Sequence, residues 1–341
     1  MKILFIGPNN GTSNHNYLSI KNLNKNTDFL NTNYFNKNRI FKFFQWHTNL
    51  KIFNHQINLF YKNNVKKDYD IIFFNNVPEI TKKSILEIKK KTKKIFFFCG
   101  DNPFTNRDKF RWKNFKEIIP FIDLIIFHIE GRKKYIKKFN IKKYLITVPP
   151  YYKEVHFNNV RKIKKKEVVF IGTWFPERGK FFYELKKKGL NFDIYGNKWN
   201  KDKKYYKYLK ENIKKALNYK ETAKIISKYK INIGLLSKGN DDNITRRCIE
   251  IPATGSLLCC ERTKFLKLIL KENKEAIYFS SANECYKKCF YILKKTKLIN
   301  KITSNGNNKV RKILKLEAKN IFKKILYENP IKNFSKTIIK Y

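Results

Sequence analysis

Val168-Val-Phe-Ile-Gly172-Thr173 repeats, at mid-chain, the opening run Ile3-Leu-Phe-Ile-Gly7-Pro8. Each is a short, unbroken apolar segment that stops at a glycine. Continuous runs rich in Val, Ile and Phe suit strands covered on both faces, as in parallel sheets. A glycine at the carboxyl end lets the chain turn tightly or approach a ligand closely. A chain that starts this construction twice reads as two βα halves. In the first half strands are predicted at 2–7, 70–74, 94–99, 123–128 and 144–148, with helices at 79–91 and 132–139 between them. In the second half strands are predicted at 168–171, 192–195, 231–236, 256–260 and 276–279. Alternation of this kind predicts doubly wound parallel sheets.

Pro149-Pro150, followed by a polar stretch to Lys166, reads as the joint between the halves. The predicted division is 1–155 and 156–325, each Rossmann-like, with a tail at 326–341 that packs back on the first domain. The 341 residues exceed one ordinary core and agree with two domains of ~150 residues. Ligands of such sheets bind beyond the carboxyl ends of strands. Gly7, Gly100, Gly172, Gly196 and Gly255 are all expected there.

Composition limits the function classes. An apolar share of 42 % with 16 % aromatics supports packed cores and argues against disorder. No apolar run approaches the ~18 residues of a membrane span, and the N-terminus lacks the cleavage pattern of a signal peptide. The expected location is cytoplasmic, with peripheral attachment to the inner membrane face as an extension. The net charge of +49 invites a nucleic-acid reading. However, only ten of the 76 basic residues are arginine. Lys, Asn, Ile and Phe, whose codons are rich in A and T, crowd the chain together, and the charge is not gathered into one stripe. Weak attraction to anionic lipid follows whatever the origin of the lysines. The six cysteines have no zinc-ligand spacing and read as buried thiols. Cys259 and Cys260, adjacent in a strand, should face opposite sides of its sheet.

The densest cluster of chemistry is Asp242-Asn-Ile-Thr-Arg-Arg-Cys-Ile-Glu250-Ile-Pro-Ala-Thr-Gly255. It predicts a helix that begins near Asn243 and Thr245 and ends at a left-handed cap on Gly255. The helix start would offer N–H groups to an anion. Arg246 or Arg247 would supply a planar fork for phosphate oxygens, and Glu250 would accept from ribose hydroxyls. An ordinary capped, ion-paired helix gives the same pattern. Outside this cluster, Asp101 follows a strand and is a candidate general base or acceptor-hydroxyl contact. His128 and Glu130 share a similar location. Asp68-Tyr-Asp70 spells an Asp-x-Asp metal motif but precedes its strand, so a polar lead-in is the simpler reading. Phe43, Trp46, Leu50, Phe53, Ile57 and Phe60 fall at helical spacing. They form either a face laid on the first sheet or a basic, aromatic surface for membrane or acceptor.

Several blocks together resemble the spore-maturation CgeB-type glycosyltransferases, a branch of the GT-B class. These are Phe170-Ile-Gly-Thr173 with Glu177-Arg178, Asp193-Ile-Tyr-Gly196 with Trp199, Leu217-Asn-Tyr219, and Ile231-Asn-Ile-Gly-Leu235. Asp242, Thr245, Arg247 and Glu250 match the family's Asp-x-x-Thr-x-Arg-x-Phe-Glu pattern, with Gly255 after it and Asp101-Asn-Pro103 as a similar earlier turn. Ile249 replaces the usual phenylalanine, and the His-Thr pair common near the end is missing after Gly306.

The resemblance implies a GT-B fold, two Rossmann-like domains facing across a cleft, with the acceptor on the first and a nucleotide-sugar donor on the second. It implies transfer of a hexose-like sugar, with no metal and no cofactor besides the donor, to a glycan, lipid-linked or protein acceptor of the cell envelope. Asp242 and Glu250 would stand for the paired carboxylates of retaining members, Asp242 being the shorter residue of the two. Gly172, Thr173 and Gly196 would let backbone approach the diphosphate. Arg178, Thr245 and Arg247 would bind it, and Asp101 with Asp242 would carry the chemistry. The readings set against this one are a basic nucleic-acid-binding protein, a non-catalytic GT-B homologue, and a sugar-nucleotide epimerase on the same architecture.

Overall fold

The computed structural model describes residues 1–48, 50–128, 133–160 and 166–328. It divides into two units. Among the described residues, the first comprises those within Met1–Val148, Ser237–Asp242 and Lys319–Glu328; the second comprises those within Pro149–Leu236 and Asn243–Ala318.

The first unit is built on a six-stranded sheet of β1 (Ile3–Gly7), β2 (Thr27–Asn31), β3 (Tyr69–Asn75), β4 (Thr92–Cys99), β5 (Leu124–Phe127) and β6 (Tyr144–Ile146). Their order is β2-β1-β3-β4-β5-β6 and every pair is parallel. The central strands read Ile-Leu-Phe-Ile and Ile-Ile-Phe-Phe and are buried throughout, as covering on both faces requires. Phe5 stacks on Phe73 at 5.6 Å and Phe74 on Phe97 at 5.9 Å, so aromatic pairs tie neighbouring strands on both faces. The helix Lys82–Lys89 starts three residues after the predicted position because the Thr81 hydroxyl accepts from the Ser84 N–H as its cap.

The predicted aromatic helix is instead two helices, Arg39–His47 and Asn54–Asn64, broken by Leu50 in the left-handed region (φ 57) and a short turn at Lys51–Phe53. Leu50 and Ile57 are buried, Trp46, Phe53 and Phe60 are half-buried, and Phe43 is exposed. Most of this face therefore lies on the first unit's core, and Phe43 does not.

The second unit carries β7 (Lys166–Ile171), β8 (Asp193–Tyr195), β9 (Ile213–Lys214), β10 (Tyr229–Gly234), β11 (Leu257–Glu261) and β12 (Ile277–Phe279). Their order is β12-β11-β10-β7-β8-β9, again parallel throughout. Chain order reverses between β7 and β10. In an open sheet of this kind the reversal leaves a crevice beyond the two carboxyl ends, the usual place for a ligand. Two strands escaped the sequence reading. β2 is a polar edge strand, Thr-Asp-Phe-Leu-Asn, and β9 has only two residues, so neither shows an apolar run.

All six cysteines are buried thiols outside any disulfide. Cys260 lies 3.5 Å from Cys248 and Cys259 lies 3.9 Å from Cys289, so the adjacent pair does face opposite sides of its sheet. Gly255 corrects one expectation. It ends the helix Arg247–Thr254 and precedes β11, so it stands at an amino end, not a carboxyl end. The carboxyl-end glycine of that region is Gly234, the last residue of β10.

Candidate functional site

A cavity of about 270 Å³ opens at the reversal between β7 and β10, lined by Gly172, Arg178, Tyr219, Thr245, Arg246 and Arg247 among others. β7 delivers Gly172 at its carboxyl end, and β10 delivers Gly234 and Leu235. The segment before the helix Arg247–Thr254 adds Thr245 and two arginines. That helix begins later than the sequence predicted. The N–H groups of Cys248 and Ile249 donate to the Thr245 and Arg246 carbonyls at 3.0 Å, and Arg246 occupies the cap. A tight first turn consumes these donors, so the cavity's cationic character rests on Arg246 and Arg247 more than on the helix end.

Arg178 is buried and acts inside the wall. One guanidinium nitrogen donates to the Thr173 carbonyl at 2.5 Å and the other to the Leu236 carbonyl at 3.3 Å. Its plane lies over Phe175 at 4.6 Å and Phe170 at 5.3 Å. It thereby ties the loop after β7 to the loop after β10. Gly196 belongs to the same frame: a Cβ there would lie 1.9 Å from the Gly172 carbonyl oxygen. The indole of Trp199 donates to that oxygen at 3.1 Å. Thr173 and Gly196 thus shape the turn behind the cavity.

Glu250 is wholly buried. Its Oε1 accepts from the Tyr219 hydroxyl at 2.7 Å, and its Oε2 pairs with Arg247. Arg246 Nε and His156 Nε2 stand at 3.9 and 3.7 Å. Burial alone would raise this carboxyl. Arg247, His156, Arg246 and the Tyr219 hydroxyl outweigh burial and hold it below the usual carboxylate range. Burial likewise pushes His156 below its usual value, with Glu250 and the Tyr152 backbone partly opposing. His156 Nδ1 lies 3.1 Å from both the N–H and the carbonyl oxygen of Tyr152, which holds the ring with Nε2 facing Glu250. Each Glu250 oxygen keeps a lone pair for a further donor, but the side chain is wholly buried, so the ribose contact predicted for it would require the groups that cover it to move. As it stands, Glu250 fixes two side chains that line the cavity.

The other predicted residues that the structure describes lie in the first unit. Asp242 packs there: its N–H donates to the Ser237 carbonyl at 3.3 Å, and its carboxylate accepts from Asn240 Nδ2 at 2.6 Å. Because the helix starts only at Arg247, Asp242 and Glu250 do not share a helical face, whatever their spacing in sequence. Asp101 is one-third exposed and pairs with Arg107 at 2.9 Å and Arg111 at 3.4 Å. The next residue, Asn102, bonds Asn240 through its N–H at 2.9 Å. A carboxylate gripped by two guanidiniums suits orienting those cations better than accepting a proton. His128 is buried, edge-on to Phe98, and Glu130 lies outside the described residues. Asp70 accepts from the Lys2 N–H and Lys93 Nζ, both at 2.8 Å, which fits a strand lead-in.

Tyr219 and His156 were missed as site residues. Tyr219 lies within the capping box Asn218–Glu221, next to its cap, and a tyrosine beside a cap has no signature of its own. Among the described residues the group with metal-ligand proximity is Cys259, Cys285 and Cys289, three thiols within 4.8 Å in the core of the second unit, not in the cavity.

The two parallel six-stranded sheets are those of the GT-B glycosyltransferase fold. Residues 178–318, which carry most of the cavity's lining, match the family described as glycosyl transferase-like. Among solved structures, a sucrose-phosphate synthase from Thermosynechococcus elongatus superposes with a TM-score of 0.69 at 9 % identity, covering 96 % of this chain and 98 % of that one. HepE from Anabaena, in complex with UDP and glucose, gives 0.64 at 11 % identity, over 95 % and 98 %. A glycosyltransferase from Rickettsia africae gives 0.62 at 15 % identity, over 96 % and 98 %. No curated protein sequence matches the chain. The matches give the GT-B fold and, over residues 178–318, a glycosyl transferase-like sequence, and they do not single out the CgeB-type branch.

Proposed function

We propose that the protein transfers a sugar from a nucleotide-sugar donor, with the donor's diphosphate held in the second unit between Gly172 and the Thr245-Arg246-Arg247 segment. The observation that carries this reading is the cavity itself. It lies at the sheet's reversal point, takes two arginines and a threonine from one segment, and meets a glycine at the end of β7. Fixed cations in a partly desolvated wall stabilise a departing nucleotide diphosphate without reorganising during reaction, which is where most of the rate enhancement in such a transfer arises. Arg246 and Arg247 supply that charge, Thr245 supplies a hydroxyl, and Gly172 allows close approach of backbone. Arg178, Gly196 and Glu250 are positioning residues: they hold the loops, Arg247 and Tyr219 in place. The UDP bound by HepE favours a uridine nucleotide as the first donor to try.

The first unit is assigned to the acceptor, with Asp101 orienting it through Arg107 and Arg111. A cell-envelope acceptor and retention of the anomeric configuration are proposed from the family resemblance; the configuration of the product, read by NMR, decides the second. The reaction as drawn uses no metal, which activity in the presence of a chelator would test.

The donor site is tested by following thermal stability with a panel of nucleoside diphosphates and nucleotide sugars. Selective stabilisation by one nucleotide, weakened in Arg247→Ala and Arg246→Ala, is the expected result. No shift with any nucleotide, together with tight, salt-sensitive RNA or DNA binding, would replace this reading with the charge-driven one.

A further inference from the structure

We propose that the helix Arg39–His47 and the turn Lys51–Phe53 of the first unit form a surface that lies on an anionic lipid bilayer. This goes beyond the donor-site reading and does not rest on it. From Phe29 to Lys67 the chain contains no Asp or Glu at all, whereas Arg39, Lys42, Lys51 and Lys62 all fall in it. The helix divides its side chains between two faces. Phe41 and Phe44 turn inward and meet Phe53 at 5.1 and 5.7 Å. Ile40 and Phe43, three residues apart and so on one face, are 64 % and 59 % exposed, and Ile52 in the following turn is 64 % exposed. His47 stacks on Phe43 at 4.7 Å, which holds that ring outward. Exposed Arg39, Lys42 and Lys51 accompany these apolar side chains.

Apolar side chains rimmed by cations are what an interfacial segment needs: the former enter the headgroup boundary and the latter meet lipid phosphates. Two other occupants fit less well. A second copy of the same face would bring like charges together with no acid to offset them. Single-stranded nucleic acid stacks on aromatic rings, but two of the three most exposed side chains here, Ile40 and Ile52, are aliphatic and offer no stacking face.

The test is co-sedimentation of the full chain with vesicles of phosphatidylcholine alone and of phosphatidylcholine with phosphatidylglycerol. Three proteins are compared: wild type, Ile40→Ser/Phe43→Ser/Ile52→Ser, and a control triple in the second unit, Leu268→Ser/Phe290→Ser/Tyr291→Ser, whose side chains are about equally exposed. The substitutions leave net charge unchanged, and melting temperature reports that each variant is folded. Wild type and the control are expected to bind the anionic vesicles at least tenfold better than the neutral ones, and the 40/43/52 variant to lose at least tenfold. Lys42→Gln/Lys51→Gln should weaken binding by roughly 25-fold, the equivalent of about 1 kcal/mol per basic residue. Equal binding by the folded 40/43/52 variant and wild type would overturn the proposal, since attraction would then belong to the bulk charge. Loss of RNA binding without loss of vesicle binding in that variant would also overturn it, in favour of a nucleic-acid surface.

Discussion

Glu250 shows how a buried carboxylate stays charged. Two arginines, a tyrosine hydroxyl and a histidine ring surround it, and together they outweigh its burial. Since its folded value lies below the unfolded one, its contribution is complete above the ordinary carboxylate range and is lost as pH falls through the lowered folded value. Arg247→Ala is expected to reduce donor affinity 10- to 100-fold, on the order of 1.5–3 kcal/mol for charge-assisted hydrogen bonds. It should also lower the melting temperature, because Glu250 loses its main partner; nucleotide titration and thermal melts separate the two effects. Asp101→Asn keeps the shape but not the charge. Turnover within about tenfold of wild type is expected if Asp101 orients Arg107 and Arg111, whereas a general base would show a loss of 10²–10⁴.

Glu79 is the opposite case. Buried and beside few compensating groups, it is pushed up from 4.5 to about 7 by desolvation, with Arg111 only partly opposing. The folded protein therefore prefers its acid form. Stability that is complete below about 4.5 declines as pH rises towards about 7, by roughly 3 kcal/mol. Glu79→Gln should match wild type in melts at pH 4 and exceed it at pH 8.

At the scale of elements, the frame around the cavity depends on loops that lock each other. Arg178 bonds carbonyls in the loops after β7 and β10. Gly196 passes so close to Gly172 that a single methyl would strike its carbonyl oxygen. Gly196→Ala is expected to cost about 1–3 kcal/mol through forced backbone shifts and to weaken nucleotide binding, although Gly196 does not line the cavity. Calorimetry and nucleotide titration on the same variant would show both losses; a loss of stability alone would mean that the turn is merely structural. The helix Arg247–Thr254 illustrates how local sequence misleads about a boundary. Asp242 and Thr245 look like cap residues, but the Asn240–Asp242 contact holds that segment in a turn, so the helix starts later.

At the scale of the whole molecule, a net charge of +49 makes the folded state repel itself. The melting temperature is expected to rise between ~50 and ~500 mM salt, as the Debye length falls from roughly 14 to 4 Å. A flat response in thermal melts would mean that the lysines are spaced widely enough for water alone to screen them.

Ten of the twelve strands named above were legible in the sequence, because a strand buried on both faces must be an apolar run and a parallel sheet must alternate such runs with helices. The two that were not legible, β2 and β9, lie at sheet edges, where one neighbour suffices and polar or very short segments are tolerated. The sequence likewise determined that the Asp242–Gly255 segment carries charge suited to an anion, since residue type alone dictates charge and hydrogen-bonding capacity. Tertiary structure decided how that capacity is used. Side-chain partners are set by strand order and loop packing, which bring Tyr219 and His156 to Glu250, lock Arg178 onto two carbonyls, and assign Asp242 and Glu250 to different units. Spacing along a chain fixes geometry only within one regular element; where a turn intervenes, packing does.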